Sequence, residues 1–321
     1  DQRTAPALAG HTATSITQSE DGAERLLVFG GFDGVSVCNE AYVFSPADKK
    51  WFGLRAGTPP APRAMHAAAL LAGTTLVVHG GWGGDDVLRA DTCVLNLQQH
   101  PAWDAPCSFL SIAPGPSARQ GHTMTTGAGD EVLLFGGDVG NNVSGELWSL
   151  TTTGAELSWH LVASTGTPPP PRSGHTACAL PGGLMLIFGG RAVDGSCLGD
   201  LCVFSNATRR WSQPKVVGDV PRPRWATACC ALPAGGPHGT RVLLDGGRDA
   251  DGWVNTQTLI DAVVGPLPMT DERRSGTPRA DVELRCHTVR TGGHPLEGTE
   301  GFAAVGPSSA RSAHSLSGHS V

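Results

Sequence analysis

Apolar positions along this chain gather in short runs rather than in helical stripes. Leu26–Phe29, Leu76–His79, Val132–Phe135, Leu184–Phe188 and Val242–Asp245 each end in a glycine pair, at Gly30-Gly31, Gly80-Gly81, Gly136-Gly137, Gly189-Gly190 and Gly246-Gly247. A continuous apolar run of this length reads as a strand buried on both faces. The glycine pair then marks a turn whose backbone only glycine enters cheaply. Patterning predicts strands at 11–17, 25–30, 41–45, 67–71, 75–79, 91–96, 121–126, 131–136, 146–150, 174–180, 184–188, 200–204, 225–231 and 240–245. Almost no helix is predicted.

The runs belong to a larger repeat. Each is preceded by an Arg-x-x-His phrase or its relic and followed by an apolar triplet that opens on an acidic residue. The openers are Glu40, Asp91, Glu146 and Asp200, with Thr256 in the fifth unit, and the first four units close on Trp51, Trp103, Trp159 and Trp211. Successive glycine pairs are 50, 56, 53 and 57 residues apart, and the step from His66, His122 and His175 to the following glycine pair is 14 each time. A unit of four short β-rich runs is the amount of chain needed for one small antiparallel sheet. Such a sheet cannot bury both faces alone, and stacking sheets radially about an axis solves that problem.

Composition narrows the picture. The chain has 321 residues, of which 40% are hydrophobic, enough to bury a sizeable interior. Its 44 glycines and 24 prolines leave no run longer than 16 residues, Asp85 to His100, free of both, so long helices are excluded. No segment approaches a membrane span. A net charge of -6 without a basic cluster argues against a nucleic-acid partner. Nine cysteines, an odd number lacking any C-x-x-C, sit mostly in apolar runs, which fits core thiols of a cytoplasmic protein better than a disulfide framework. Two sequons, Asn142-Val-Ser144 and Asn206-Ala-Thr208, are the secreted counter-reading.

The glycine pairs, the acidic opener, the spaced tryptophans and the period near 50 together resemble the Kelch repeat, over roughly residues 5 to 265. The resemblance implies an all-β, Kelch-type β-propeller filling 1–321 as a single domain. Its units are 8–62, 63–118, 119–171, 172–223 and 224–289, with a partial sixth at 307–321 and irregular stretches at 265–280 and 290–306. Residues 281–289 supply the outer strand of the fifth blade, and the ring is expected to be six-bladed. Function is expected to be that of a non-enzymatic scaffold binding a protein or peptide, acidic or phosphorylated in character. The alternative is a carbohydrate-active enzyme such as a sialate mutarotase. Copper radical oxidases on this fold need tyrosine ligands, and the chain has one tyrosine, Tyr42; the Glu-x3-Asp-x3-His iron pattern of plant specifier proteins is also missing. No cofactor is expected.

The candidate site follows from the repeat. His11, His66, His122, His175 and His314 share one repeat position and so are spread around the ring, which makes them structural rather than metal ligands. Three residues earlier stand Leu8, Arg63, Arg119, Arg172, Arg224 and Arg311. In the Kelch family that connection lies beside the central channel, together with the loop after Gly-Gly. Those loops carry Asp33, Asp85, Asp138, Asp194 and Asp249, so two readings stand. Either the arginines remain open and recognise an anion bidentately, or they pair with these aspartates and staple loops.

Overall fold

The computed structural model describes residues 7–17, 22–54, 56–99, 107–112, 115–153, 156–232, 240–264 and 282–289. Trp103, Arg311, His314 and the stretches 265–280, 290–306 and 307–321 fall outside the described residues.

Five antiparallel sheets follow one another along the chain. The first takes Thr12–Thr17, Glu24–Phe32, Val37–Ser45 and Lys50–Leu54 in sequence order. The second runs Ala67–Leu71, Thr75–His79, Thr92–Asn96 and Leu110–Ser111. The third has Thr123–Thr126, Glu131–Phe135, Leu147–Thr153 and Glu156–Leu161. Thr176–Leu180, Leu184–Phe188, Leu201–Ser205 and Arg210–Ser212 form the fourth. Ala228–Leu232, Thr240–Asp245, Gln257–Val264 and Val282–Val289 form the fifth. The only helix among the described residues is a three-residue turn, Leu97–Gln99.

Alternation explains why the strands read as unbroken apolar runs. In the second sheet Ala68, Leu70, Leu76 and Val78 pack on Leu27, Phe29 and Val43 of the first. Their neighbours Ala67, Ala69, Leu71 and Val77 pack on Val132 and Leu134 of the third. Leu133 and Phe135 then face Met185 and Ile187 of the fourth, whose Leu186 and Phe188 face Leu244 and Ile260 of the fifth. The strands of the second, third and fourth blades therefore serve two interfaces, one per face. The sheets are the blades of a β-propeller, and the molecule is all-β.

Of the spaced tryptophans, Trp159 and Trp211 are buried between blades, with Trp211 against Phe135 at 5.2 Å between ring centroids. Trp51 differs: it is only half-buried and rests on Phe44 of its own blade. Extra outermost strands that the sequence pattern does not announce also occur. Thr165–Gly166 and Lys215–Gly218 pair in parallel with the outer strands of the fourth and fifth blades, and Ala56–Thr58 pairs with Cys107–Ser108. Each carries the connecting chain along the rim of the next blade.

Main-chain hydrogen bonds knit the blades around the axis. The residue just before the repeat histidine, or before Thr227 in the fifth blade, has positive φ: Gly10, Met65, Gly121, Gly174 and Ala226. Met65 N donates to Gly10 O, Gly121 N to Met65 O, Gly174 N to Gly121 O and Ala226 N to Gly174 O, all at 2.7–2.9 Å. A second latch joins glycine pairs to the next blade. The amides of Gly31, Gly81, Gly137 and Gly190 donate to the carbonyls of Arg63, Arg119, Arg172 and Arg224. A Cβ on Gly30, Gly80 or Gly136 would stand 2.7 Å from that same carbonyl, which is the steric reason for glycine there.

Candidate functional site

In each blade the residue after the repeat arginine position bridges the residue after the glycine pair. The pairs are Ala9 with Phe32, Ala64 with Trp82, Gln120 with Asp138, Ser173 with Arg191 and Trp225 with Arg248. These bridges bring the loops leading into the inner strands and the loops after Gly-Gly onto one face, as the repeat pattern implies.

The arginines sit beneath that face rather than on it. The side chains of Arg63, Arg119 and Arg172 are fully buried, and each uses its donors in the same way. Nε donates to the carbonyl two residues back, at Ala61, Ser117 and Pro170. Nη1 donates to the first glycine carbonyl, at Gly80, Gly136 and Gly189. Nη2 meets the acidic residue that opens the third strand: Asp91 at 2.6 Å, Glu146 at 2.8 Å and Asp200 at 2.6 Å. Burial is the largest single influence and opposes charge on these carboxylates, yet the arginines' hydrogen bonds and charge, together with further hydrogen bonds, outweigh it and hold all three below the usual carboxylate range. Cys93 and Cys202 donate to the same carboxylates, and burial beside them pushes the thiols up to about 11 and about 12.

The loop aspartates are therefore not the arginines' partners, which corrects the expected stapling scheme. Asp33 accepts the amides of Val35 and Ser36, Asp138 that of Gly140, Asp194 that of Ser196, and Asp249 those of Asp251 and Gly252. Each closes its own turn, as short carboxylates commonly do. Asp85 sits at a positive φ of 47° in the corresponding loop.

Two blades lack the full pair. In the first, Leu8 stands where an arginine would, and Glu40 is exposed. In the fifth, Arg224 is present and buried, but the acidic position holds Thr256, whose Oγ1 accepts from Nη1 at 2.9 Å. Among the described residues Nε and Nη2 of Arg224 have no hydrogen-bond partner.

The repeat histidines are not gathered. His66 Nε2 meets Thr12 Oγ1 at 2.9 Å and His175 Nε2 meets Thr123 Oγ1 at 2.8 Å, each on the inner strand of the preceding blade. Burial drives His175 down to about 3 and His66 and His122 well below the ordinary imidazole value, so they are neutral packing groups. Among the described residues no group of three or more His, Cys, Asp or Glu is placed to hold a metal ion.

The side chains that do reach the face are those at the bridged positions, one residue beyond the arginine and one beyond the glycine pair. Phe32 and Trp82 lie side by side with centroids 6.1 Å apart. Across the fourth and fifth blades the character is cationic and aromatic: exposed Arg191 lies over Trp225 at 5.0 Å and exposed Arg248 over Trp253 at 5.5 Å. Further out, Val35 and Val193 are 90% and 70% exposed at the loop tips. An offset of one residue from the repeat arginine was the available signal, hidden because these positions vary from unit to unit.

The radial blades, the glycine latch and the buried arginine–carboxylate pair define a Kelch-type β-propeller. The family model described as the KLHDC2/KLHL20/DRC7 Kelch-repeats domain matches residues 10–247, and the chain belongs to that family. It is 30% identical over 263 residues to Adagio protein 3 of Arabidopsis thaliana, covering 78% of this chain and 40% of that protein. Similarity to Adagio-like protein 1 of Oryza sativa subsp. japonica is 29% over 271 residues, with 78% and 41% covered. An F-box/kelch-repeat protein of Arabidopsis thaliana, At1g51550, is 32% identical over 196 residues, covering 56% of this chain and 40% of that protein. The chain thus spans about two fifths of the length of these relatives.

Proposed function

We propose that this propeller is a non-enzymatic recognition module that binds a protein or peptide partner across the bridged face. The observation carrying this reading is a contrast within the repeat. The buried arginine–carboxylate pair is repeated in three blades, whereas the residues directly above it change from Phe32 and Trp82 to Asp138, Arg191 and Arg248. A uniform frame carrying a varied surface suits recognition of one particular sequence. Stacked Arg191 and Arg248 favour an acidic or phosphorylated segment on the side of the fourth and fifth blades. The relatives' names, which include an F-box/kelch-repeat protein, agree with such a role. A reducing, cytoplasmic setting fits the eight described free cysteines, six of them buried.

The test is selection of peptides from a displayed random library, followed by affinity measurement on surface variants. Arg191→Glu and Val193→Asp are expected to weaken the selected peptides about tenfold or more, the loss of a charge-assisted contact or of an apolar one at a binding face. Leu161→Asp on the outer strand of the third blade is expected to leave them unchanged. Equal loss in all three variants would overturn the assignment of the face.

A further inference from the structure

The fifth blade holds a guanidinium without its carboxylate. Arg224 is 1% exposed, and among the described residues it forms no ion pair. Its guanidinium lies over the Phe188 ring at 5.7 Å and feels the charges of Asp245 and Asp249, but among the described residues its only side-chain hydrogen bond runs to Thr256, the residue standing where Asp91, Glu146 and Asp200 stand in the preceding blades. The donors left over among the described residues are Nε, which in the other blades bonds a backbone carbonyl, and Nη2, which there holds the acid. A buried charge in this condition is costly unless something supplies the missing oxygens.

Space for that something adjoins it. A cavity of about 520 Å³ is bounded by Thr256, Arg222, Pro221, Trp253, Asp249 and Thr288, among others. Thr256 is exposed and forms part of its wall, so the guanidinium lies directly behind that wall. The other blades show that the position can be reached from outside. Their carboxylates are 40%, 47% and 31% exposed although the arginines they hold are fully buried. Two acidic groups border the cavity as well. Asp249 is turned onto its own loop amides, and the cation Arg222 lines the same cavity as Asp251.

We propose that this cavity is a carboxylate receptor: an acidic side chain of a partner peptide enters past Thr256 and meets the free Nη2 of Arg224, completing in trans the pair that three other blades complete internally through the same nitrogen. The inference rests on the recognition role proposed above and assigns one position of the bound segment, an aspartate or glutamate lying over the fifth blade.

Thr256→Asp provides the test, because it rebuilds the internal pair. Peptides selected by the full chain are compared with copies in which each Glu or Asp is replaced by Gln or Asn. Wild-type protein is expected to prefer the acidic form by about 10- to 100-fold at one position, the value of a charge-assisted contact. Thr256→Asp is expected to raise the melting temperature and to abolish that preference, while Thr256→Val keeps it. Acidic and amide peptides bound alike, or an acid preference untouched by Thr256→Asp, would overturn the receptor while leaving the recognition face in place. Failure to select any peptide would overturn both.

Discussion

Arg172 grips both oxygens of Asp200, at 2.8 and 2.6 Å, from a position with no solvent exposure, while the carboxylate itself is 31% exposed. The asymmetry matters because the arginine cannot rehydrate if its partner is removed. Asp200→Ala is expected to cost about 3–5 kcal/mol, the penalty of leaving a buried charge uncompensated. Urea denaturation of the single variants and of Arg172→Met/Asp200→Ala checks it. The double variant is expected to recover part of the loss, since it buries no charge.

Trp211 joins Phe204 of its own blade at 5.0 Å and Phe135 of the third at 5.2 Å, and is 2% exposed. Truncation to alanine removes one side of an interface between blades. A loss of about 3–5 kcal/mol is expected for Trp211→Ala, and a similar one for Trp159→Ala. Trp51→Ala, on a half-buried ring, is expected to cost less, and ranking the three denaturation midpoints decides the matter.

Acid sensitivity follows from the histidines. His79 and His175 resist protonation down to about pH 3 because burial disfavours their charge, whereas in the unfolded chain they titrate near 6.5. Below that value the unfolded chain takes up protons that the fold refuses. Their contribution is therefore whole above about pH 6.5 and falls by about 1.4 kcal/mol per pH unit for each histidine as pH drops towards 3. Urea midpoints measured at about pH 7.5 and about pH 5 are expected to differ strongly, before most carboxylates titrate. An unchanged midpoint would show that the buried imidazoles are charged.

Ala226 occupies the left-handed region at φ 58° in the link that hydrogen-bonds to Gly174, where three other blades place glycine at the same position. Ala226→Gly is expected to relieve about 1 kcal/mol of backbone strain, partly offset by the added freedom of the unfolded chain. A melting temperature that falls would mean that the alanine methyl contributes more through packing than it costs in conformation.

Much of the fold is legible in the sequence because the same physical problem is solved five times. Leu184–Phe188 and Thr240–Asp245 match the predicted strands residue for residue; the first is buried on both faces, the second alternates buried Val242 and Leu244 with half-buried neighbours, and a glycine pair marks the end of each. The rim strands are not legible: Thr165–Gly166 is a two-residue, solvent-facing parallel pairing with no hydrophobic period to reveal it. The candidate site was half legible. The arginine position was visible, but its partner lies 28 residues onward in the case of Asp200, while Asp194 lies nearer in sequence and merely closes a turn. A better clue was the acidic opener of the third strand, present wherever the arginine is paired and replaced by Thr256 where it is not.

Arg63, Arg119 and Arg172 each fasten two things with different parts of themselves: the carbonyl holds the glycine turn of the blade before, and the side chain holds the acid of its own blade. The first fastening is indifferent to residue identity. A unit can therefore trade its ion pair for something else, as Arg224 beside Thr256 does, and the latch to the blade before it stays in place. Gene duplication followed by drift at that one position gives a protein new surface chemistry blade by blade, with the assembly held throughout by atoms that mutation does not alter.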